Sequence, residues 1–333
     1  MRRLLASAFG GLAAVRAAAY EHGLLPRHEL RGPVLSVGNL GVGGSGKTPV
    51  ALRVAELLMA AGEPVAVLSR GYGGCFRGEA LVVSDGASVL AAADVAGDEA
   101  VMLARALPGA VVAVGPRRDV VGSVVEARFG RRVHVLDDGF QHLRLARDLD
   151  LVCLDVRDLE DQPLPAGRLR ERPRALARAD LVLLTRLEAM TEEELRALET
   201  RLGPERTFRV ERRISGWRTL SGEAAEAPRQ AFLLAGIARP ERLEHDAAAA
   251  GAAVVGRAFF RDHHRFRSGE LAAAAAEARA AGASAIVTTA KDAVRLEGLP
   301  AVDLPIVVLK IEARVLDEAR LRERLLAALW RAA

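Results

Sequence analysis

Lysine is nearly missing from this 333-residue chain. Of its 47 basic residues only Lys47, Lys291 and Lys310 are lysine, and arginine supplies the rest. A bias that runs through the whole chain reflects genome composition. Each surviving lysine therefore marks a place where a compact ammonium is wanted, as at a point-charge phosphate site that arginine serves badly. Cysteine is also scarce. Cys75 and Cys153 are too few for a disulfide framework, and no CxxC or Cys/His spacing offers a zinc site, so a reducing, cytosolic setting is expected. Long apolar runs are absent: the uncharged stretch from Leu4 to Val15 is too short to span a bilayer. The basic residues are scattered, so the net charge of +4 forms no stripe of the kind that binds nucleic acid. An acidic substrate or an anionic membrane surface remains compatible with it. Aromatics make up only 4% of a chain that is half hydrophobic. That composition suits a globular protein built from Ala, Val and Leu, long enough for two α/β units.

What is present centres on Gly41-Val42-Gly43-Gly44-Ser45-Gly46-Lys47-Thr48, a full match to G-x-x-x-x-G-K-[S/T]. A short apolar run, Pro33 to Gly38, precedes it and predicts a buried strand. Pro49 to Gly62 follows it, with Val50, Val54, Leu57 and Leu58 at helical spacing. Strand, glycine turn and helix form a phosphate cradle. The glycines let backbone N–H groups point inward, and the helix N-terminus adds partial positive charge. Gly41, Gly43, Gly44, Ser45, Gly46, Lys47, Thr48 and Pro49 are thus the expected nucleotide-binding residues, with Lys47 on the β- and γ-phosphates and Thr48 on Mg²⁺.

From Pro33 to about residue 190, apolar runs at Val65–Ser69, Val111–Gly115, Val133–Leu136, Leu151–Asp155 and Leu181–Thr185 alternate with helical segments. This pattern predicts a parallel sheet covered on both faces and joined by right-handed crossovers. Thr207–Ile214 and Trp217–Leu220 flank Ser215-Gly216 and predict a hairpin or ribbon. The polar stretch Ser221–Arg229 reads as a boundary. Beyond it, runs at Ala231–Ile237, Ala253–Val255, Ala285–Thr289 and Ile306–Leu309 with the helical segment Leu271–Ala281 outline a second α/β unit. The expected organisation is an N-terminal helix over residues 1–30, a P-loop NTPase-type domain over 31–220, and a smaller α/β domain over 221–333. In the N-terminal segment Leu4, Ala8, Leu12, Val15 and Ala19 share one arc, with Arg2, Arg3 and Arg16 at its edges. Such a helix lies in a membrane interface or packs against the domain, and the sequence favours neither.

Three further stretches carry chemistry. Val135-Leu136 runs into Asp137-Asp138-Gly139, two carboxylates at the end of an apolar strand, which beside a P-loop predicts Mg²⁺ ligation directly or through water. Asp98 stands at the start of a helical stretch, Glu99–Ala106, where an N-cap alone would explain it. Asp262-His263-His264 follows Phe259-Phe260. A histidine pair there serves equally as metal ligand, solvated surface group or proton carrier, and spacing does not choose among these.

Taken in order, the motifs resemble the tetraacyldisaccharide 4'-kinase family. They are Ser36-Val37-Gly38-Asn39-Leu40 leading into the glycine turn, Ser69-Arg70-Gly71-Tyr72-Gly73-Gly74, and Gly97-Asp98-Glu99. Asp137-Asp138-Gly139-Phe140-Gln141-His142, Gly167-Arg168-Leu169-Arg170-Glu171, Asp262-His263 and Thr288-Thr289-Ala290-Lys291-Asp292 continue the match. Phe140 and Ala290 depart from the usual Leu and Glu, and neither is a reacting group. The resemblance implies transfer of the ATP γ-phosphate to the 4'-hydroxyl of an acylated glucosamine disaccharide 1-phosphate. The place is the cytosolic face of the inner membrane, to which the N-terminal helix would dock, with no obligate protein partner. It also implies that Asp98 and His263 form the base dyad and that Lys47, Thr48, Asp137 and Asp138 handle nucleotide and Mg²⁺. Arg118 and Arg170 would meet phosphates, while Tyr72, Gln141, His142 and Glu171 would line the site. Two rival classes are another P-loop enzyme, such as a small-molecule kinase or GTPase-type metallochaperone, and a non-catalytic ATP-binding switch. The chain lacks an N-K-x-D base-reading motif, which counts against the GTPase.

Overall fold

The fold follows from where the apolar runs must hide. The computed structural model describes residues 1–43 and 46–331, so Gly44 and Ser45 of the glycine turn lie outside the described residues. Helix α1 (Arg2–Glu21) precedes β1 (Val34–Asn39), α2 (Lys47–Ala60), β2 (Val65–Ser69) and β3 (Leu81–Asp85). Then come α3 (Ala93–Ala96), α4 (Asp98–Ala106), β4 (Val111–Val114), α5 (Arg118–Phe129) and β5 (Val133–Asp137). Strands β6 (Leu149–Asp155) and β7 (Leu181–Thr185), helix α6 (Glu192–Leu202) and the long β8 (Thr207–Thr219) complete the first part. Every residue of β1, β2, β4, β5, β6 and β7 is buried, as the unbroken apolar runs require of a sheet covered on both faces. Its order is β3-β4-β2-β5-β1-β6-β7-β8, parallel throughout except for β3.

The second part holds β9 (Ala224–Ala225), β10 (Gln230–Ala235), α7 (Glu241–Ala249), β11 (Ala253–Phe259) and α8 (Ser268–Ala280). It continues with β12 (Ala285–Thr289), α9 (Ala290–Leu296), β13 (Ile306–Val315) and α10 (Glu318–Arg331). Its core lies on the two faces of β10–β12, with Leu243 and Ala247 of α7 on one and Leu271, Ala275 and Ala278 of α8 on the other.

The hairpin expected at Ser215-Gly216 does not form. The chain stays extended through β8, because β13 lies alongside it from Val210 to Thr219 as an antiparallel partner. Ser215 is the extra residue of a bulge: Lys310 faces Gly216 and Ile311 faces Ile214. The ribbon reading therefore holds and the reversal does not. This ribbon also makes one 13-stranded sheet of both parts. Only Thr207–Arg209 pair with β7, so β8 overshoots the first sheet by roughly 30 Å at about 3.3 Å per residue. Strands β10, β12 and β13 are mutually parallel and run back against β8. The carboxyl ends of both sets of strands consequently face each other across one cleft.

The two terminal helices both pack on the first part. Helix α10 follows the second part in sequence but buries Leu321, Leu325, Ala328 and Leu329 in the core of the first, against Val54 and Leu58 of α2. Glu318 accepts from Arg53 Nε at 2.7 Å on the same contact. Helix α1 meets the protein through small residues, Ala6, Gly10 and Ala17, and turns Leu4, Leu5, Leu12 and Val15 to solvent. Arg172 donates to Ser7 Oγ at 3.1 Å, and Arg16 to the Gln141 carbonyl at the same distance. Among the described residues no helix is long and apolar enough to cross a membrane.

Candidate active site

The nucleotide side of the cleft is built by β1, β2 and β5. Gly46 caps α2 in the left-handed region at φ 84°, which a side chain would strain. Lys47 and Thr48 then open the helix, and Pro49 falls in its first turn, where its missing N–H costs nothing. Thr48 Oγ1 lies 3.3 Å from Asp137 Oδ1, and Ser69 Oγ, at the end of β2, lies 3.5 Å from Oδ2. Burial pushes the Asp137 carboxyl up to about 7; Glu99 and Asp138 add to this, and Lys47 opposes it. A buried carboxylate with two hydroxyls beside it and little compensating charge is the donor chemistry that a hard divalent cation satisfies. Among the described residues no group of three or more His, Cys, Asp or Glu gathers into a cage.

Asp138 turns the chain at φ 58° and faces cations: Lys47 Nζ at 3.9 Å and Arg170 Nη1 at 2.9 Å. Gln141 Nε2 donates to the Asn39 carbonyl (2.9 Å) and to Glu171 (3.1 Å), and Glu171 is paired with Arg178. Arg118 is buried; among the described residues its Nη1 donates to the carbonyls of Gly115 and Pro116, at 3.3 Å each, and its Nε has no hydrogen-bond partner. Burial pushes this guanidinium down to about 10, so a nearby anion would relieve it. His142 Nε2 accepts the Arg118 backbone N–H at 3.2 Å, at the start of α5. Burial and then the Arg118 charge lower His142 to about 4, so it stays a neutral acceptor that fastens α5.

The opposite wall carries the acid–histidine pair. Asp98 is the first residue of α4, behind Gly97, whose φ of 92° and close approach to the Tyr72 carbonyl exclude a side chain. The cap position is therefore glycine, and Asp98 is left free to reach across. His263 Nδ1, on the loop after β11, lies 3.1 Å from Asp98 Oδ2 as an ion-pair contact, and among the described residues that nitrogen has no aligned hydrogen-bond partner. Tyr72 sets its ring edge-on to His263 at 5.1 Å between centroids. Gly73 lies under the imidazole, where an added Cβ would stand 3.1 Å from Nδ1. His264 is elsewhere: its ring stacks on Phe260 at 4.5 Å and Nε2 meets Glu270 at 2.9 Å.

Sequence reasoning assigned no role to two cations of α9 that complete this wall. Arg295 bonds Asp98 and, at 3.0 Å, Asp292, which is itself held by Thr289 and the Gly236 N–H. Lys291 Nζ stands 3.1 Å from His263 Nε2 and 3.2 Å from Asp262. Burial works against charge on Asp98, yet His263, Lys291 and Arg295 together hold it down at about 2. Glu99, 3.8 Å from Lys291, also acts on Asp137 and so links the two walls. The scarcity of lysine pointed to Lys291; nothing in the sequence pointed to Arg295.

A glycine turn with its lysine, a buried strand-end aspartate and a facing acid–histidine pair define the P-loop phosphotransferase class. Residues 2–330 match the family model described as tetraacyldisaccharide-1-P 4'-kinase, LpxK. The tetraacyldisaccharide 4'-kinase of Anaeromyxobacter sp. strain Fw109-5 is 47% identical over 331 residues, covering 96% of this chain and 88% of its own. That of Desulfotalea psychrophila is 39% identical over 310 residues, covering 91% and 89%. The crystal structure of LpxK from Aquifex aeolicus in complex with ATP superposes with a TM-score of 0.80 at 28% identity, covering 98% of this chain and 97% of that one. The chain belongs to the tetraacyldisaccharide 4'-kinase family.

Proposed function

We propose that the protein transfers the γ-phosphate of ATP to the 4'-hydroxyl of a tetraacylated glucosamine disaccharide 1-phosphate, yielding the 1,4'-bisphosphorylated lipid A precursor. The observation that carries the reading is the cleft in which the glycine turn and Asp98, both from the first set of strands, meet His263 from the second. Gly41, Gly43, Gly46 and Lys47 cradle the phosphates. Thr48 and Asp137, with Asp138 beside them, are the residues that would hold Mg²⁺, whose charge screens the β- and γ-phosphate oxygens when bound. His263 Nε2 takes the 4'-hydroxyl proton while Asp98 steadies the resulting imidazolium. The oxygen attacks the γ-phosphorus, the bond to the β–γ bridging oxygen breaks, and ADP departs. Buried Arg118 and half-buried Arg170 are suited to the charge of phosphate groups in the cleft.

The outward apolar arc of α1 with Arg2, Arg3 and Arg16 supports seating on an anionic membrane surface at its cytosolic face, where an acylated substrate resides. The test is turnover of ATP with the disaccharide 1-phosphate in mixed micelles. ADP and a lipid phosphorylated at the 4' position should appear together, one for one. ATP hydrolysis indifferent to the disaccharide would overturn the reading in favour of another P-loop enzyme or switch.

A further inference from the structure

We infer that Lys291 is a positioning residue that keeps the lone pair of His263 on Nε2, and so makes this histidine a base rather than a cation; the inference rests on the reading of His263 as the proton acceptor.

The argument is one of donors and acceptors. An ammonium only donates, so a lysine 3.1 Å from Nε2 requires that nitrogen to be the acceptor. The ring proton then belongs on Nδ1, the nitrogen that stands 3.1 Å from Asp98 Oδ2 as an ion-pair contact. Removal of the lysine changes the balance. His263 would lie between two carboxylates, Asp98 at Nδ1 and Asp262 Oδ2 at 3.8 Å from Nε2. An imidazole flanked in this way is favoured with both nitrogens protonated, and it then has nothing with which to accept a proton. Lys291 prevents this twice, by engaging Asp262 at 3.2 Å and by placing its own charge against the imidazolium.

The charged groups around the ring are Asp98 with Glu99 from α4, Asp262 from its own loop, and Lys291 with Arg295 from α9; Tyr72 adds its ring edge. Arg295 cannot substitute for Lys291, since its guanidinium is committed to Asp98, Asp292 and two backbone carbonyls. The lysine can also withdraw when a hydroxyl arrives, because Asp262 and Glu99 wait within 3.8 Å at the end of a flexible stem. This is a task for a compact, mobile ammonium, in a chain that otherwise uses arginine almost everywhere.

The test compares Lys291→Met, Lys291→Arg and Lys291→Met/Asp262→Asn with the parent protein. Two readouts apply: the pH profile of kcat/KM and the long-range ¹H–¹⁵N correlations of His263 at pH 7. A unit charge at hydrogen-bond distance in a half-exposed site is worth about one pH unit or more. The acid limb should therefore move up by at least about one unit in Lys291→Met, with both ring nitrogens protonated at pH 7. It should stay near the parent value in Lys291→Arg and return toward it in the double variant. A Lys291→Met protein that loses kcat without moving the limb or the ring signals overturns the inference and leaves the lysine a plain phosphate or packing residue. Full activity in His263→Ala would instead sink the base assignment itself, whatever the lysine variants show.

Discussion

If His263 takes the hydroxyl proton and Asp98 steadies it, the two act as one unit, and a double-mutant cycle exposes this. Each single alanine variant should lose roughly 10²–10⁴-fold in kcat, the usual span of a general-base contribution. The double variant should be little worse than the poorer single, because a unit can be broken only once. Stability must be separated from chemistry. Asp98 is held at about 2 instead of the ordinary 3.8, which by linkage makes it worth on the order of 2 kcal/mol at neutral pH. The folded value lies below the unfolded one, so this contribution is complete above about pH 4 and is lost as pH falls through about 2. Asp98→Ala also strands the buried Arg295 guanidinium, and an unfolding free energy from urea titration lowered by about 2–3 kcal/mol is expected at pH 7. A protein of ordinary stability, roughly 5–15 kcal/mol, stays folded after that loss, so kcat remains readable at saturating substrate. His264→Ala is the control: losing the Phe260 stack and the Glu270 contact lowers stability, but activity should change little. Single losses that simply multiply would refute the coupled base, and a dead His264→Ala beside an active His263→Ala would move the base role to His264.

Two other outcomes are expected. Lys47→Ala should abolish turnover and Lys47→Arg should remain severely impaired, since a planar guanidinium does not fit a cradle shaped for a point charge 3.9 Å from Asp138; near-normal kcat in Lys47→Arg would remove this residue from the phosphates. Deletion of residues 2–20 should weaken liposome flotation and raise KM for micellar lipid while leaving ATP affinity unchanged. Undiminished flotation of the folded deletion variant would leave α1 a packing element.

The sequence by itself determined whatever depends on neighbours along the chain. The glycine turn, its lysine and the following helix are a local arrangement, and so is a strand that ends in Asp137-Asp138. Unbroken apolar runs gave the buried parallel strands, because nothing polar along them demanded solvent. Contacts over long sequence distances were decided only by the tertiary structure. The extended chain through Ser215 is one case: whether such a stretch reverses or continues depends on a partner strand, and β13 comes nearly a hundred residues later. Helix α10 is another, since its amphipathic pattern demands some apolar surface without saying which, and α2 supplies it. The pairing of Asp98 with His263 was available only through family resemblance, and the placement of Lys291 and Arg295 around it was not available at all. Four residues from two sets of strands meet because β8 overshoots its sheet and the second set runs back along it. Hydrophobic periodicity records which side of a strand is buried; it carries no record of which charges lie across the cleft.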